Sequence, residues 1–125
     1  MAGIATDIVS VPRMTRLVSA RGPAFTGRWF TPEEIAYCAR RRVPSRHFAA
    51  RFAAKEAVVK TLPGGWDGPL AYRDVEIVHD SHGAPVVRLR GRVRSVADGA
   101  GIGTILVSLS HCDDYAVAMA WAGFR

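Results

Sequence analysis

Three observations predict an α+β fold in which an antiparallel sheet packs against a long central helix. Strand-like segments occur at the start of the chain and again in its second half, the stretch between them carries helix punctuation, and the 125-residue length suits one domain. Apolar residues make up 49% of the chain and charged residues 22%, a globular balance that excludes a disordered or fibrous protein. No repeat, linker or low-complexity stretch interrupts it, so residues 1–125 read as a single domain.

Taken in order, Gly3 to Val9 reads as a short buried strand with Asp7 at its end, and Pro12 opens a helix through about Ala20. A second helix starts at Phe30-Thr-Pro-Glu-Glu, with Thr31 as N-cap, Pro32 in the first position and Glu33 and Glu34 in the first turn. Arg40, Arg41 and Arg42 fall near its C-terminus, where cations are favoured. Ser45 is the expected N-cap of a third helix over 46–62. Phe48, Phe52 and Val59 lie within about 40° of one another on it, which predicts an amphipathic helix. Pro63-Gly-Gly-Trp-Asp-Gly-Pro69 ends that helix. Asp74 to His79 and Pro85 to Leu89 then read as strands joined by Asp80-Ser-His-Gly83, and Gly91 to Ala100 as a polar-faced helix closed by Gly101. Thr104 to Ser110 and Tyr115 to Ala122 complete the sheet, with Cys112-Asp-Asp as their turn.

The N-terminus has no basic region followed by an apolar stretch, and no apolar run approaches the roughly 20 residues of a membrane helix. Cys38 and Cys112 show neither disulfide-framework nor zinc-ligand spacing. A soluble protein of the reducing cytoplasm is the expectation. Lys and Arg number 17 against 11 acids, a net charge of +6, which serves solubility or points to an anionic partner.

Glu56 and Lys60 are four residues apart and share a helix face, with Glu56 close to the Phe52 centre of the apolar stripe and so half-buried. By itself the pair reads as an ordinary i,i+4 surface ion pair. Beside Asp7 it acquires a second meaning, because magnesium commonly takes one or two carboxylates and fills its other positions with water and phosphate oxygens. Lys60 would then meet the phosphates, and Gly64 and Gly65 would let backbone approach them, although a Pro-Gly-Gly turn is commonly just a helix stop. His111, after Ser108-Leu-Ser110, stands where a side chain projects at a sheet edge. His47, His79 and His82 read as surface residues without partners. Arg13 and Arg16 on the first helix, with Met14 between them and Arg21 and Arg28 soon after, form a basic, partly apolar face suited to an acidic protein surface or to nucleic acid.

Taken together, Gly3-Ile-Ala-Thr-Asp-Ile-Val9, Phe30-Thr-Pro-Glu-Glu34, Arg51-Phe-Ala-Ala-Lys-Glu-Ala57 with Lys60, Asp74-Val-Glu-Ile77, Gly83-Ala-Pro85 and Ser108-Leu-Ser-His111 resemble the holo-acyl-carrier-protein synthases. These are small single-domain 4'-phosphopantetheinyl transferases, and the resemblance runs in order from Gly3 to about Ala120. It implies magnesium-dependent transfer of the phosphopantetheine arm of coenzyme A to a serine of an apo acyl carrier protein, with release of adenosine 3',5'-bisphosphate. It also implies a homotrimer with active sites between subunits. By motif, Asp7 and Glu56 would hold magnesium and Lys60 would contact the attacked phosphate. Arg51, His111 and the Gly64-Gly65 loop would contact the nucleotide and its phosphates, and Gly83 and Pro85 of a neighbouring subunit would close the pocket. Asp7, Glu56, Lys60 and His111 are thus the expected catalytic set, while Arg13, Met14, Arg16, Arg21 and Arg28 would dock an acidic carrier.

The serine proton could pass to Glu56, to a metal-bound water or to an unassigned carboxylate. Pro12 beside Arg13, the Thr61 to Gly68 loop, Trp66 and Cys112 depart from the family pattern and hint at a specialised carrier, such as one of polyketide or similar assembly, with a fatty acid carrier left open. The readings set against this one are a basic nucleic-acid-binding module, which lacks exposed aromatics interleaved with its basic residues, and a coenzyme A-binding relative without transferase activity.

Overall fold

The computed structural model describes residues 2–64 and 69–125. Its elements run β1 (Gly3–Ser10), α1 (Val11–Arg21), α2 (Pro23–Trp29), α3 (Pro32–Ala39), α4 (Pro44–Lys60), α5 (Pro69–Arg73), β2 (Val75–His79), β3 (Pro85–Leu89), α6 (Gly91–Gly99), β4 (Ile102–His111) and β5 (Tyr115–Phe124). Two antiparallel sheets form, one in the order β1-β5-β4 and one pairing β2 with β3. The predicted class holds, and among the described residues no helix is long and apolar enough to cross a membrane.

The core is built on small residues. Strand β5 turns Ala116, Ala118, Ala120 and Ala122 inward, and α4 answers with Ala49, Ala50, Ala53, Ala54 and Ala57, all of them buried. They sort into two apolar clusters, with Ala53, Ala54 and Ala57 grouped with Ala118, Ala120 and Ala122, and Ala49 and Ala50 with Ala116. Methyl side chains on both partners bring the helix axis close to the sheet while keeping the interior densely filled. Larger groups then fill the periphery, with Phe30 stacked edge-on to Phe48 at 4.9 Å.

Helix α4 is central rather than amphipathic, contrary to the periodicity reading. Arg51 and Lys55 are buried along with its alanines, and beyond the partly exposed first turn only the strip through Phe52, Glu56 and Lys60 opens towards solvent. The pattern misled because a period-3.6 reading assigns charged residues to water, whereas Lys55 is buried with every donor used. Its ammonium donates to Glu34 Oε1 at 2.7 Å and to the carbonyls of Tyr72 and Val75 at 2.8 and 2.6 Å. Glu34 accepts in turn from the backbone of Thr31 and Ile77, and Thr31 donates its hydroxyl to Glu76 Oε2 at 2.6 Å. Arg90 completes the set on Glu76 Oε1 at 2.8 Å. Burial pushes the Lys55 ammonium below its usual range, opposed by the charge of Glu34. The Phe30-Thr-Pro-Glu-Glu and Asp74-Val-Glu-Ile motifs therefore tie α3, α4 and β2 together.

Thr31 is the N-cap expected, and Glu34 returns to the cap backbone to make it a full capping box. Helix α4 begins earlier than expected, with Val43 at the N-cap and Pro44 in the first turn, so Ser45 is not the cap. Helices α2 and α5 lie where no helix was read. Gly27 inside a seven-residue α2 weakens its local signal, and packing holds it instead: Phe25 is buried, and the Trp29 ring lies 5.5 Å from Phe52 and 5.1 Å from Tyr72. Asp7 is not at a strand's end, since β1 continues through Ser10 and Asp7 pairs with Ala118.

Candidate active site

The expected site residues fall into three places, set by which face of α4 each one borders. At the C-terminal end of α4, Lys60 donates to Asp7 Oδ1 at 2.9 Å and to the Thr6 carbonyl at 3.1 Å. Asp7 reaches the helix because its neighbours Ile4, Thr6 and Ile8 take the exposed side of β1, leaving odd-numbered positions to face α4. Glu56, one turn before Lys60, is half-buried as expected. Among the described residues its carboxylate has neither a hydrogen bond nor an ion pair. Gly64 is exposed with φ 100°, and Gly65 and Trp66 lie outside the described residues.

Glu56 forms one wall of the second place, a groove of about 490 Å³ whose rim carries Arg13, Arg21 and Arg28 and whose floor is Met14, Phe25 and Trp29. Met14 is buried, so it shapes the groove from beneath, and Arg16 is exposed but does not line it. Sequence reading missed Phe25 and Trp29 because both sit on α2. The arrangement places a carboxylate without a partner among the described residues in a partly apolar channel edged by three arginines.

The third place is a cluster of rings and guanidinium groups where Arg51 resides. Arg51 is 2% exposed. Its guanidinium carbon lies 3.9 Å from the centroid of Tyr37, and Nη2 lies 3.0 Å from His79 Nδ1. The His79 ring stacks on Tyr37 at 4.6 Å and 9°, and Arg41 also lies 3.9 Å from the Tyr37 centroid. His47 sits edge-on to Tyr37 at 6.2 Å and to His111 at 5.0 Å. Burial lowers the pKa of His79, with Arg51 and Arg41 adding to the shift against Asp80. Burial likewise lowers His47 to about 4, helped by His111, Arg51 and Arg41. His47 and His79 are therefore half-buried, neutral members of a ring cluster rather than residues without partners, whereas His82 is exposed as expected. Cys38, buried on α3, is pushed up to about 12 by burial, which keeps its thiol protonated and inert.

Arg51, Glu56 and Lys60 do not face one ligand within a single chain. Arg51 is five positions from Glu56, about 140° around the helix, and His47, which touches His111, is about 20 Å along the axis from Lys60. Gly83 and Pro85 lie elsewhere again, at the β2–β3 turn. There Asp80 Oδ1 accepts from the backbone of His82 and Ala84 at 2.8 and 3.0 Å, and Gly83 takes the φ of 82° that favours glycine.

Asp7 and Glu56 offer hard oxygen donors on facing elements next to Lys60, a donor set that fits magnesium sharing its sphere with phosphate oxygens. Among the described residues no group of three or more His, Cys, Asp or Glu is gathered for a metal.

Residues 3–120 match the 4'-phosphopantetheinyl transferase superfamily, and the chain belongs to it. A holo-[acyl-carrier-protein] synthase of Moorella thermoacetica is 47% identical over 119 residues, covering 95% of this chain and 90% of that one. One from Ruminiclostridium cellulolyticum is 44% identical, covering 94% and 88%. The crystal structure of the Neisseria meningitidis holo-[acyl-carrier-protein] synthase superposes with a TM-score of 0.88 at 36% identity over 98% of both chains. That of the Helicobacter pylori enzyme in complex with coenzyme A superposes with 0.82 at 29% identity, over 97% of this chain and 100% of that one.

Proposed function

We propose that the chain is a holo-acyl-carrier-protein synthase that moves the 4'-phosphopantetheine arm of coenzyme A onto a serine of an acidic apo carrier protein. One observation carries this reading: Glu56, a half-buried carboxylate with no partner among the described residues, opens onto a channel rimmed by Arg13, Arg21 and Arg28. Such a channel suits an acidic carrier that presents its serine beside a carboxylate.

In the reaction the serine Oγ forms a bond to the phosphorus bearing the pantetheine arm. The bridging pyrophosphate bond breaks, and adenosine 3',5'-bisphosphate leaves with its electrons. Such transfers ask a protein mainly for positioning and for cations on the transferring oxygens. Asp7 and Glu56 would hold magnesium, which when bound supplies positive charge at those oxygens. Lys60 adds a second cation from its place beside Asp7. The serine proton leaves to Glu56 or to solvent held in the channel. Arg51, His111, Gly64 and Gly65, with Gly83 and Pro85, bind the nucleotide end.

The separation of Arg51 and His111 from Glu56 and Lys60 supports a site completed between subunits. So does the sheet face turned away from α4, where Ile4, Ile8, Leu106 and Met119 are each at least half exposed. Register sets them side by side, with Ile4 and Leu106 both opposite Trp121 and Ile8 opposite Val117. An apolar sheet face of this kind suits burial against other copies of the chain. A homotrimer is the assembly proposed, and its mass in solution tests it: a monomer at working concentration overturns it. A cytoplasmic location and a role in fatty acid or polyketide synthesis follow as parts of the same proposal.

The activity is tested by incubating the protein with coenzyme A, magnesium and a panel of apo carriers. A carrier mass gain of about 340 Da, the covalent mass of the arm, is expected. No gain on any carrier sinks the reading, and retained gain in chelator without magnesium removes the metal from it.

A further inference from the structure

Burying a guanidinium is costly unless its donors are met. Arg51 is 2% exposed, yet its Nε is buried without a hydrogen-bond partner among the described residues. One Nη2 donor is met by His79 Nδ1 at 3.0 Å. A cavity of about 150 Å³ lies against the group, lined among others by Glu33, Arg40, Arg88 and Tyr37. Three arginines and one acid around so small a space leave it positive, which suits a phosphate-sized anion.

The guanidinium plane is set by two neighbours that touch no other part of the proposed reaction. Tyr37, on α3, offers its ring at 3.9 Å from the Arg51 guanidinium carbon, and His79, at the end of β2, stacks on that same ring at 4.6 Å while binding Nη2. We propose that Tyr37 and His79 are positioning residues for the nucleotide end of coenzyme A, a clamp that fixes the Arg51 guanidinium against the adjoining cavity, where it meets the phosphates. The proposal rests on the role given to Arg51 above and adds the device that makes this arginine selective. The clamp works only with Nδ1 of His79 as acceptor, so His79 is neutral with its proton on Nε2. The charges bearing on His79 come from α4 (Arg51), the α3 C-terminus (Arg41) and its own turn (Asp80), and Arg40, Glu33 and Arg88 line the adjoining cavity.

Steady-state kinetics on Tyr37→Leu, Tyr37→Phe, His79→Leu and His79→Gln, together with calorimetric binding of adenosine 3',5'-bisphosphate, test the clamp. Tyr37→Leu and His79→Leu are expected to raise the KM for coenzyme A and the Kd for the bisphosphate by about five- to tenfold, with kcat and the KM for the carrier within about twofold. Tyr37→Phe keeps the ring and His79→Gln keeps an acceptor, so both are expected within about twofold of the parent. A merely structural role would lower the melting temperature and leave the coenzyme A constants of the folded fraction unchanged, which overturns the proposal. Equal losses in Tyr37→Phe and Tyr37→Leu also overturn it. Arg51→Leu separates the two levels: weakened bisphosphate binding there with normal binding in both leucine variants sinks the clamp alone. Normal binding in Arg51→Leu sinks the role of Arg51 and the clamp with it.

Discussion

Lys55 and Glu56 are neighbours on α4 and have opposite fates. The Lys55 side chain is wholly buried, and each of its three donors ends on an acceptor. Glu56 faces a groove with no partner among the described residues. A third charge on the same helix, Arg51, lies between them in character, buried like Lys55 but with bonding capacity left over among the described residues, a donor at Nε where Glu56 has acceptors. The difference teaches that burial alone does not separate scaffold from site. What separates them is whether the polar atoms are satisfied, because a closed network only holds structure, whereas an open one keeps bonding capacity for a ligand.

The largest break in this comparison comes from Lys55→Met. Removing the ammonium strands the Glu34 carboxylate in the interior, and a loss of about 3–5 kcal/mol is expected in urea unfolding. A loss below about 1 kcal/mol would mean that Glu34 finds another partner. Next in size is Ala120→Leu, which inserts bulk where β5 meets the alanine face of α4. A cost of about 1–3 kcal/mol is expected from the same measurement, with the spectrum of the folded state retained. An unchanged midpoint would show that the small residues do not set the helix-to-sheet spacing.

The smallest effect concerns His47. Its folded pKa of about 4 lies below the ordinary 6.5, so the unfolded chain takes up a proton that the folded chain refuses. Stability therefore falls as the pH drops from 6.5 and levels off below about 4, with His79 acting in the same direction. His47→Gln is expected to flatten this slope. A slope in the variant as steep as in the parent assigns the acid sensitivity to other groups.

Much of the scaffold was legible in the sequence. The Thr31 capping box, the Asp80 to Gly83 turn and the strands around it have local chemistry that needs no tertiary partner. Helix α2 was not legible, because its stability comes from Phe25 and Trp29 packing against distant residues. The orientation of α4 was misread for a related reason, since a pattern of residue types does not reveal that Lys55 and Arg51 have partners waiting inside the fold. At the site, the sequence pointed to Asp7 beside Glu56 with Lys60 on the phosphates, and the fold adds a direct Lys60–Asp7 ion pair that no local spacing announces. The cluster around Arg51 was invisible because Tyr37, His47, His79 and His111 come from α3, α4, β2 and β4, and only the topology gathers them.

The most direct test sets Glu56→Gln beside Lys55→Met and measures each twice, by urea unfolding and by the rate of carrier mass gain with coenzyme A and magnesium. Glu56→Gln is expected to unfold within about 0.5 kcal/mol of the parent while its rate falls by about 100-fold or more, and Lys55→Met to lose stability while its folded fraction stays active. A Glu56→Gln protein that transfers the arm at the parent rate would contradict the account.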